Sequence, residues 1–351
     1  MAEITYHEQI KRDNIEKLRQ MQKVLPSFCT LFFRGVADRV GARTMVAYAY
    51  DLQIFFHYMN ENVFSPHYDA LSDIRLDALD TIGKLDLENF MDYLSFYTGA
   101  DGVEHTNDER GKARKLAAVK SMFNYFFESE LIKTNPAAII HTPKIHEKNI
   151  IRLDPDEVAK LLDIVENGSD QESKHQKKFH DRTVVRDLCL LTLLLGTGIR
   201  VSECVGLNLE DVDFDNDAIR IIRKGGNEAR VYFGEEVEDA LRAYIPKRKE
   251  IITLSGHEQA LFLSIQNRRI TVRAVENLVK KYASQVTTLK KITPHKLRST
   301  YGTTLYQESN DIYLVATVLG HKDVNTTRKH YASIDDEQKR KAAKFVKLRE
   351  G

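Results

Sequence analysis

Apolar side chains recur at intervals of three and four residues over most of the chain, the spacing that gathers them on one face of a helix. Ile15, Leu18, Met21 and Leu25 form one stripe, stopped at Pro26. Met45, Ala49, Leu52, Phe56 and Met59 form a second, with Thr44 as its N-cap. Leu87, Met91, Leu94 and Tyr97 keep the same period. Leu116, Val119, Phe123, Phe126 and Phe127 make another stripe, ending near Asn135-Pro136, a helix stop signal. The aromatic runs Phe55/Phe56 and Phe123/Phe126/Phe127 read as core. The pattern predicts a helical extension over residues 1–26 and a small all-helical domain over 27–135.

Residues 136–151 lack sustained periodicity and carry two prolines, which marks a linker. A second domain follows over 152–334. Asp154-Pro155 opens a helix with proline at its first position, and Val158, Leu161, Leu162 and Val165 face inward. Residues 166–181 are polar and read as a surface loop, whereas 188–196 are apolar enough for a buried helix. Two strands, 218–224 and 229–233, flank Gly225-Gly226-Asn227-Glu228 as a hairpin. Helical spacing returns at Glu235, and Ala342, Phe345 and Val346 give a last helix, 335–351, an apolar face. The expected fold class is mainly α with a small β-hairpin.

A length of 351 residues suits two domains. No apolar run approaches the roughly 20 residues that span a bilayer, and the polar start MAEITYHEQIKRDN has no secretory core. Cys29, Cys189 and Cys204 form neither a disulfide framework nor a metal-binding spacing, so a reduced, cytoplasmic protein without metal is expected. The net charge of +1 neither favours nor excludes nucleic acid, which leaves local clustering to decide. Arg110, Lys112, Arg114 and Lys115 lie close together, as do Lys290, Lys291, His295, Lys296 and Arg298. Arg43, Thr44, Arg110, Lys112, Arg114, Lys115 and Lys296 are the candidate DNA contacts; a solvated helix face is the plainer reading of such clusters.

Five short segments of the second half each carry a side chain suited to phosphate chemistry. Arg200 follows the glycine-flanked Gly196-Thr-Gly198, with Glu203 three residues on to orient it. Lys224 sits at the tip of the hairpin. His295 and Arg298 share a helix face. Leu319-Gly320-His321 and then Tyr331 complete the set. Singly, each is an ordinary surface, capping or packing residue.

Their order is more informative. It resembles the tyrosine recombinase (phage integrase-like) family, whose pattern runs Arg, Lys in a β-hairpin, His-x-x-Arg, His or Trp, then a Tyr nucleophile. The first half is similar too, at Thr44, Tyr48, Asp51-Leu52, Phe55, Arg114 to Ala117, Phe123, Tyr125 and Asn135-Pro136-Ala137. There are two departures. The family hairpin often reads Gly-Lys-Gly-x-Lys-x-Arg, whereas here Arg223 precedes Lys224 and five residues separate Lys224 from Arg230. Tyr331 follows His321 by ten positions where nine is usual, and His330 fills the ninth. Tyr301 and Tyr306 are rival nucleophiles, but both precede His321.

The resemblance implies a C-shaped clamp, a helical SAM-like core-binding domain joined to a mixed α/β catalytic domain, closing on double-stranded DNA. It implies a 3′-phosphotyrosyl intermediate on Tyr331, with Arg200 and Arg298 on the non-bridging oxygens and His321 donating to the phosphate. His295 becomes the base or proton relay, Lys224 the acid for the leaving 5′-oxygen, and Glu203 a brace for the pocket. No cofactor is expected, because one ester replaces another. A homo-tetramer on two paired sites, a C-terminal helix docking on the neighbouring protomer, accessory DNA-bending or directionality proteins and a nucleoid-associated location complete the expectation. The chain lacks an obvious arm-binding module ahead of the core-binding domain, which favours a Xer-like architecture, while its extra N-terminal helix leaves a mobile-element integrase open as well. A type IB topoisomerase and a catalytically decayed DNA-binding accessory protein are the alternatives.

Overall fold

A computed structural model describes residues 5–99, 102–146, 150–168, 174–223, 225–321 and 324. Its contacts divide the chain between residues 147 and 148 into two units. The first holds α1 (Tyr6–Gln22), α2 (Cys29–Val36), α3 (Ala42–Asn62), α4 (Lys84–Tyr93), the hairpin β1 (Phe96–Thr98) and β2 (Glu104–Thr106), and α5 (Glu109–Glu128). A capping box starts α1, in which the Thr5 hydroxyl accepts the Glu8 N–H and the Glu8 carboxylate accepts that of Thr5.

Aromatic rings fill the middle of this unit. Phe55 meets Phe56, Phe90 and Phe123 edge-on at centroid distances of 5.2, 5.3 and 6.3 Å, the arrangement that brings ring edges onto ring faces. Leu18 and Leu25 are buried in the same core, so the extension over 1–26 packs on α3 rather than standing apart. Ala137 and Ile140 are buried there too, so the expected linker begins as part of this core. Phe127, expected inside, is exposed, one position round the helix from buried Phe126.

Two local expectations are corrected. Gly41 caps α3, and Thr44 is its third residue, so it does not serve as the N-cap. Tyr97 does not extend α4. It lies in β1, stacked on His105 across the hairpin at 5.2 Å. A three-residue spacing cannot tell one more helical turn from a strand folding back, and Asn107 settles the matter by donating to the Leu94 carbonyl (2.8 Å) just past the helix end.

The second unit holds α6 (Pro155–Asn167), α7 (Lys174–Thr197), α8 (Val201–Gly206), β3 (Val212–Asp213), β4 (Ala218–Ile222), β5 (Glu228–Tyr232), α9 (Glu235–Lys249), α10 (Val272–Val286), α11 (Pro294–Ser309) and α12 (Ile312–Leu319). Helix α7 packs against α6, α9 and α11. Its first turns were expected as loop because their inward positions are polar. His180, Thr183 and Asp187 are all buried. Asp187 accepts from Thr183 (3.0 Å), from Arg186 (2.6 Å) and from the Tyr282 hydroxyl on α10 (3.0 Å), which makes burial of the carboxylate tolerable. The hairpin pairs Ala218 with Tyr232 through Ile222 with Glu228, and β3 adds a third antiparallel strand too short to show alternation. Among the described residues the chain is thus mainly helical, with two small antiparallel sheets. Among the described residues no helix is long and apolar enough to cross a membrane.

Phe55 anchors the first unit's core. Phe55→Ala is expected to cost that unit about 3–5 kcal/mol, seen as a lower urea midpoint; an unchanged midpoint would place the ring outside the load-sharing core.

Candidate active site

The site is assembled where α7 ends. Gly198 has φ +62°, and a side chain there would run into the Tyr301 ring and stand 3.0 Å from Leu319. The chain therefore turns closely against both α11 and α12, and glycine is the residue that allows it. Arg200 follows as the N-cap of α8. Glu203, buried one turn later, accepts the Arg200 backbone N–H at 2.7 Å and its guanidinium at 2.8 Å. Peptide and side chain are held by one carboxylate, while the Arg200 side chain remains 38% exposed.

Helix α11 begins with Pro294 and carries His295 exposed in its first turn. Arg298, one turn on, is buried. Its guanidinium donates to the Gly198 carbonyl (2.5 Å) and to the Leu319 carbonyl, bridging the end of α7 to the end of α12. Gly320 then adopts φ +61° as the left-handed cap of α12, and the His321 N–H returns to the Ala316 carbonyl at 2.9 Å. His321 is half-buried just beyond.

A third arginine joins them. Arg223, at the end of β4, donates to the Val318 carbonyl at 3.1 Å. A Cβ on Gly320 would land on its guanidinium. Guanidinium groups from α11 and from the hairpin thus occupy the C-terminal end of α12, where unpaired carbonyls and the helix dipole favour cations. Arg223 was noticed in the sequence only as a departure from a motif; the signal that could have found its partner is the glycine of Leu319-Gly320-His321.

Arg200, Glu203, Arg298 and the peptide leading to His321 are therefore brought together, with His295 a turn away on α11. Lys224, Tyr331 and the expected helix 335–351 lie outside the described residues. Of the rival tyrosines, Tyr301 packs over Gly198, and burial pushes its phenol above the ordinary value, away from phenolate. Tyr306 is buried with Val315 and Leu319. Both serve packing.

The candidate DNA contacts fare unevenly. Arg43 and Arg110 are exposed at helix starts, and Thr44 and Lys296 are half-buried. Lys112 donates to the Ser95 hydroxyl at 2.5 Å. Lys115 is corrected: it is buried on α5 and donates to Asn107 Oδ1 at 2.7 Å. Successive helical residues point about 100° apart, so a run compact in sequence is spread around α5. Arg114, half exposed, pairs with Asp51, a fully buried carboxylate on α3. Lys290, in the other cluster, is held by Asp154 (2.7 Å) and Glu157 (2.5 Å) at the start of α6. Among the described residues no group of His, Cys, Asp and Glu is placed to hold a metal. The three cysteines are buried, which pushes their thiols up and away from reactive thiolate.

Comparison with known proteins gives a consistent result. Residues 151–338 match the phage integrase family. The tyrosine recombinase XerC of Caldanaerobacter subterraneus subsp. tengcongensis is 34% identical over 345 residues, covering 95% of this chain and 90% of the relative. The tyrosine recombinase XerS of Streptococcus thermophilus is 28% identical over 351 residues, covering 93% and 97%. Among solved structures, the XerH site-specific recombinase bound to difH substrate in a pre-cleavage complex superposes with a TM-score of 0.60 at 21% identity, over 83% of this chain and 76% of that one, a likeness of fold.

Asp51 supplies a pH test. Burial pushes its carboxyl up to about 6, against the opposing pull of Arg114 and Lys115. A raised carboxyl favours the fold when protonated, so this contribution is complete below the ordinary value of 3.8 and is lost as pH rises toward 6. Asp51→Asn removes the ionisation. Its melting temperature relative to wild type should climb between pH 4 and pH 6.5; a constant difference across that range would show that Asp51 titrates normally.

Proposed function

Because the chain belongs to the phage integrase family, the tyrosine recombinases, we propose that Arg200, Arg298 and His321 grip a scissile DNA phosphate while Tyr331 attacks it. The enzyme is a site-specific recombinase that cleaves and rejoins DNA. Integration, excision and dimer resolution are the same reaction on differently placed sites. The observation that supports these roles best is Arg298, whose guanidinium joins the Gly198 carbonyl, two residues before Arg200, to the Leu319 carbonyl, two residues before His321.

A phosphodiester is anionic and repels nucleophiles, so cations must be in place before attack. Arginine stays charged at any working pH and offers parallel donors to two oxygens. Glu203 holds Arg200 in its exposed orientation without removing its charge. As the Tyr331 oxygen bonds to phosphorus, negative charge builds on the non-bridging oxygens, and the guanidinium groups stabilise it. His295 takes or relays the phenol proton. The bond to the 5′-oxygen breaks, and Lys224 protonates that oxygen. A 3′-phosphotyrosyl ester remains, and a 5′-hydroxyl from the partner strand reverses the steps. Since ester replaces ester, neither ATP nor a metal is required.

The first unit, with 27–135 as core-binding domain, and the catalytic domain over 152–334 would clamp a duplex through the 136–151 linker. Arg43, Arg110 and Arg114 are the exposed candidates for its phosphates, and Thr44, Lys112 and Lys296 are half-buried candidates. The XerH structure is of a complex with its difH substrate, and double-stranded DNA is the partner here. A homo-tetramer on two paired sites, coupled through 335–351, with accessory proteins and a nucleoid location, completes the reading. The full-length likeness to XerC and XerS favours a Xer-like architecture.

Tyr331→Phe should leave DNA affinity near wild type and abolish covalent adducts on a nicked suicide substrate. An adduct formed by the Phe variant would assign the nucleophile elsewhere. Arg200→Ala should slow adduct formation on the order of 100-fold or more, with a smaller loss of binding; wild-type rates would remove Arg200 from the phosphate.

A further inference from the structure

The reaction as described leaves Arg223 without a role. It stands immediately after β4, and its N–H is bonded to the Asn227 carbonyl at 2.8 Å, which fixes its backbone in the hairpin. A hairpin arginine with no other duty would extend into water. This one is half-buried, turned onto the end of α12, and donates to the Val318 carbonyl. Its Nε is buried with no hydrogen-bond partner, a loss that an exposed rotamer would avoid. The space it occupies exists because residue 320 has no side chain. Cationic donors at a helix C-terminus are favoured, so the contact is specific in both charge and shape.

Arg223 is joined in sequence to Lys224, and the helix end it grips leads directly into His321. This contact ties the end of β4 directly to the end of α12. We propose that Arg223 is a positioning residue: it clamps the end of β4 onto the C-terminus of α12, so that Lys224 and His321 meet the same phosphate in a fixed relation. The proposal rests on the reading of Lys224 as the acid for the leaving oxygen. It also accounts for the departure of this hairpin from its family's usual sequence, since a glycine before the lysine could not reach α12.

The test uses the full-length protein and two nicked suicide substrates, one an ordinary phosphodiester and one with sulfur in place of the bridging 5′-oxygen. A thiolate leaves without protonation, so the sulfur substrate bypasses the acid. Arg223→Ala should form adducts roughly tenfold or more slowly on the oxygen substrate, bind DNA within about twofold of wild type, and recover most of its rate on sulfur. Arg223→Lys keeps charge and bulk if the alanine variant is unstable, and should show the same sulfur-rescued defect, because an ammonium lacks the planar fork that lies over Gly320. Lys224→Ala is run alongside. If sulfur rescues Lys224→Ala but both Arg223 variants are equally slow on the two substrates, Arg223 merely caps α12 and the proposal is overturned. Wild-type rates in both Arg223 variants overturn it as well. If sulfur fails to rescue Lys224→Ala, the acid role itself is wrong and the clamp loses its purpose.

Discussion

One buried guanidinium organises the second unit's chemistry. Arg298 donates to the carbonyls of Gly198 and Leu319, the first of which lies 100 residues away in sequence. Burying an arginine costs several kcal/mol unless its donors are met, and here they are met by backbone left over at helix ends. The need runs both ways. The carbonyls beyond α7 and at the end of α12 would otherwise be orphaned inside the protein. The close approach explains the neighbouring glycines: a side chain at 198 would strike Tyr301, and one at 320 would strike Arg223.

From that junction the rest of the site follows in short steps. Two residues past the Gly198 carbonyl stands Arg200, its peptide and side chain both held by Glu203. Two residues past the Leu319 carbonyl stands His321, its N–H returned to α12. The fixed, preorganised placement of cations is what phosphoryl transfer needs most, because the protein contributes position and field more than covalent chemistry. The first unit is built differently, around interlocked aromatic rings.

Much of this was legible in the sequence, for identifiable reasons. The 3.6-residue stripes through Leu52, Phe56 and Met59 mark real helix faces, and the glycine-rich turn between an isoleucine-rich run and Val231-Tyr232-Phe233 marks the β4–β5 hairpin. The ordered Arg, His-x-x-Arg and Leu-Gly-His segments survive as neighbours in space. What the sequence hid were positions where polar residues face inward. His180 disguised the start of α7 as loop, and Lys115 resembled a surface cation although α5 turns it into the core. Arg298 itself reads in the sequence as a candidate phosphate ligand but not as a structural bridge, because a carbonyl partner leaves no trace in the sequence. The pairing of Arg223 with Gly320 was hidden likewise, since each residue has a plainer reading alone.

The central claim is that Arg298 holds two distant segments in one site before any DNA arrives. Hydrogen exchange read by mass spectrometry on Arg298→Lys tests it without DNA. Lysine keeps the charge but cannot bridge two carbonyls with a planar fork. The account predicts faster exchange in peptides covering 197–201 and 316–321, including the His321 amide, with α9 and α10 unchanged. Wild-type exchange in both peptides would contradict it, and would mean that these segments are held by their own packing.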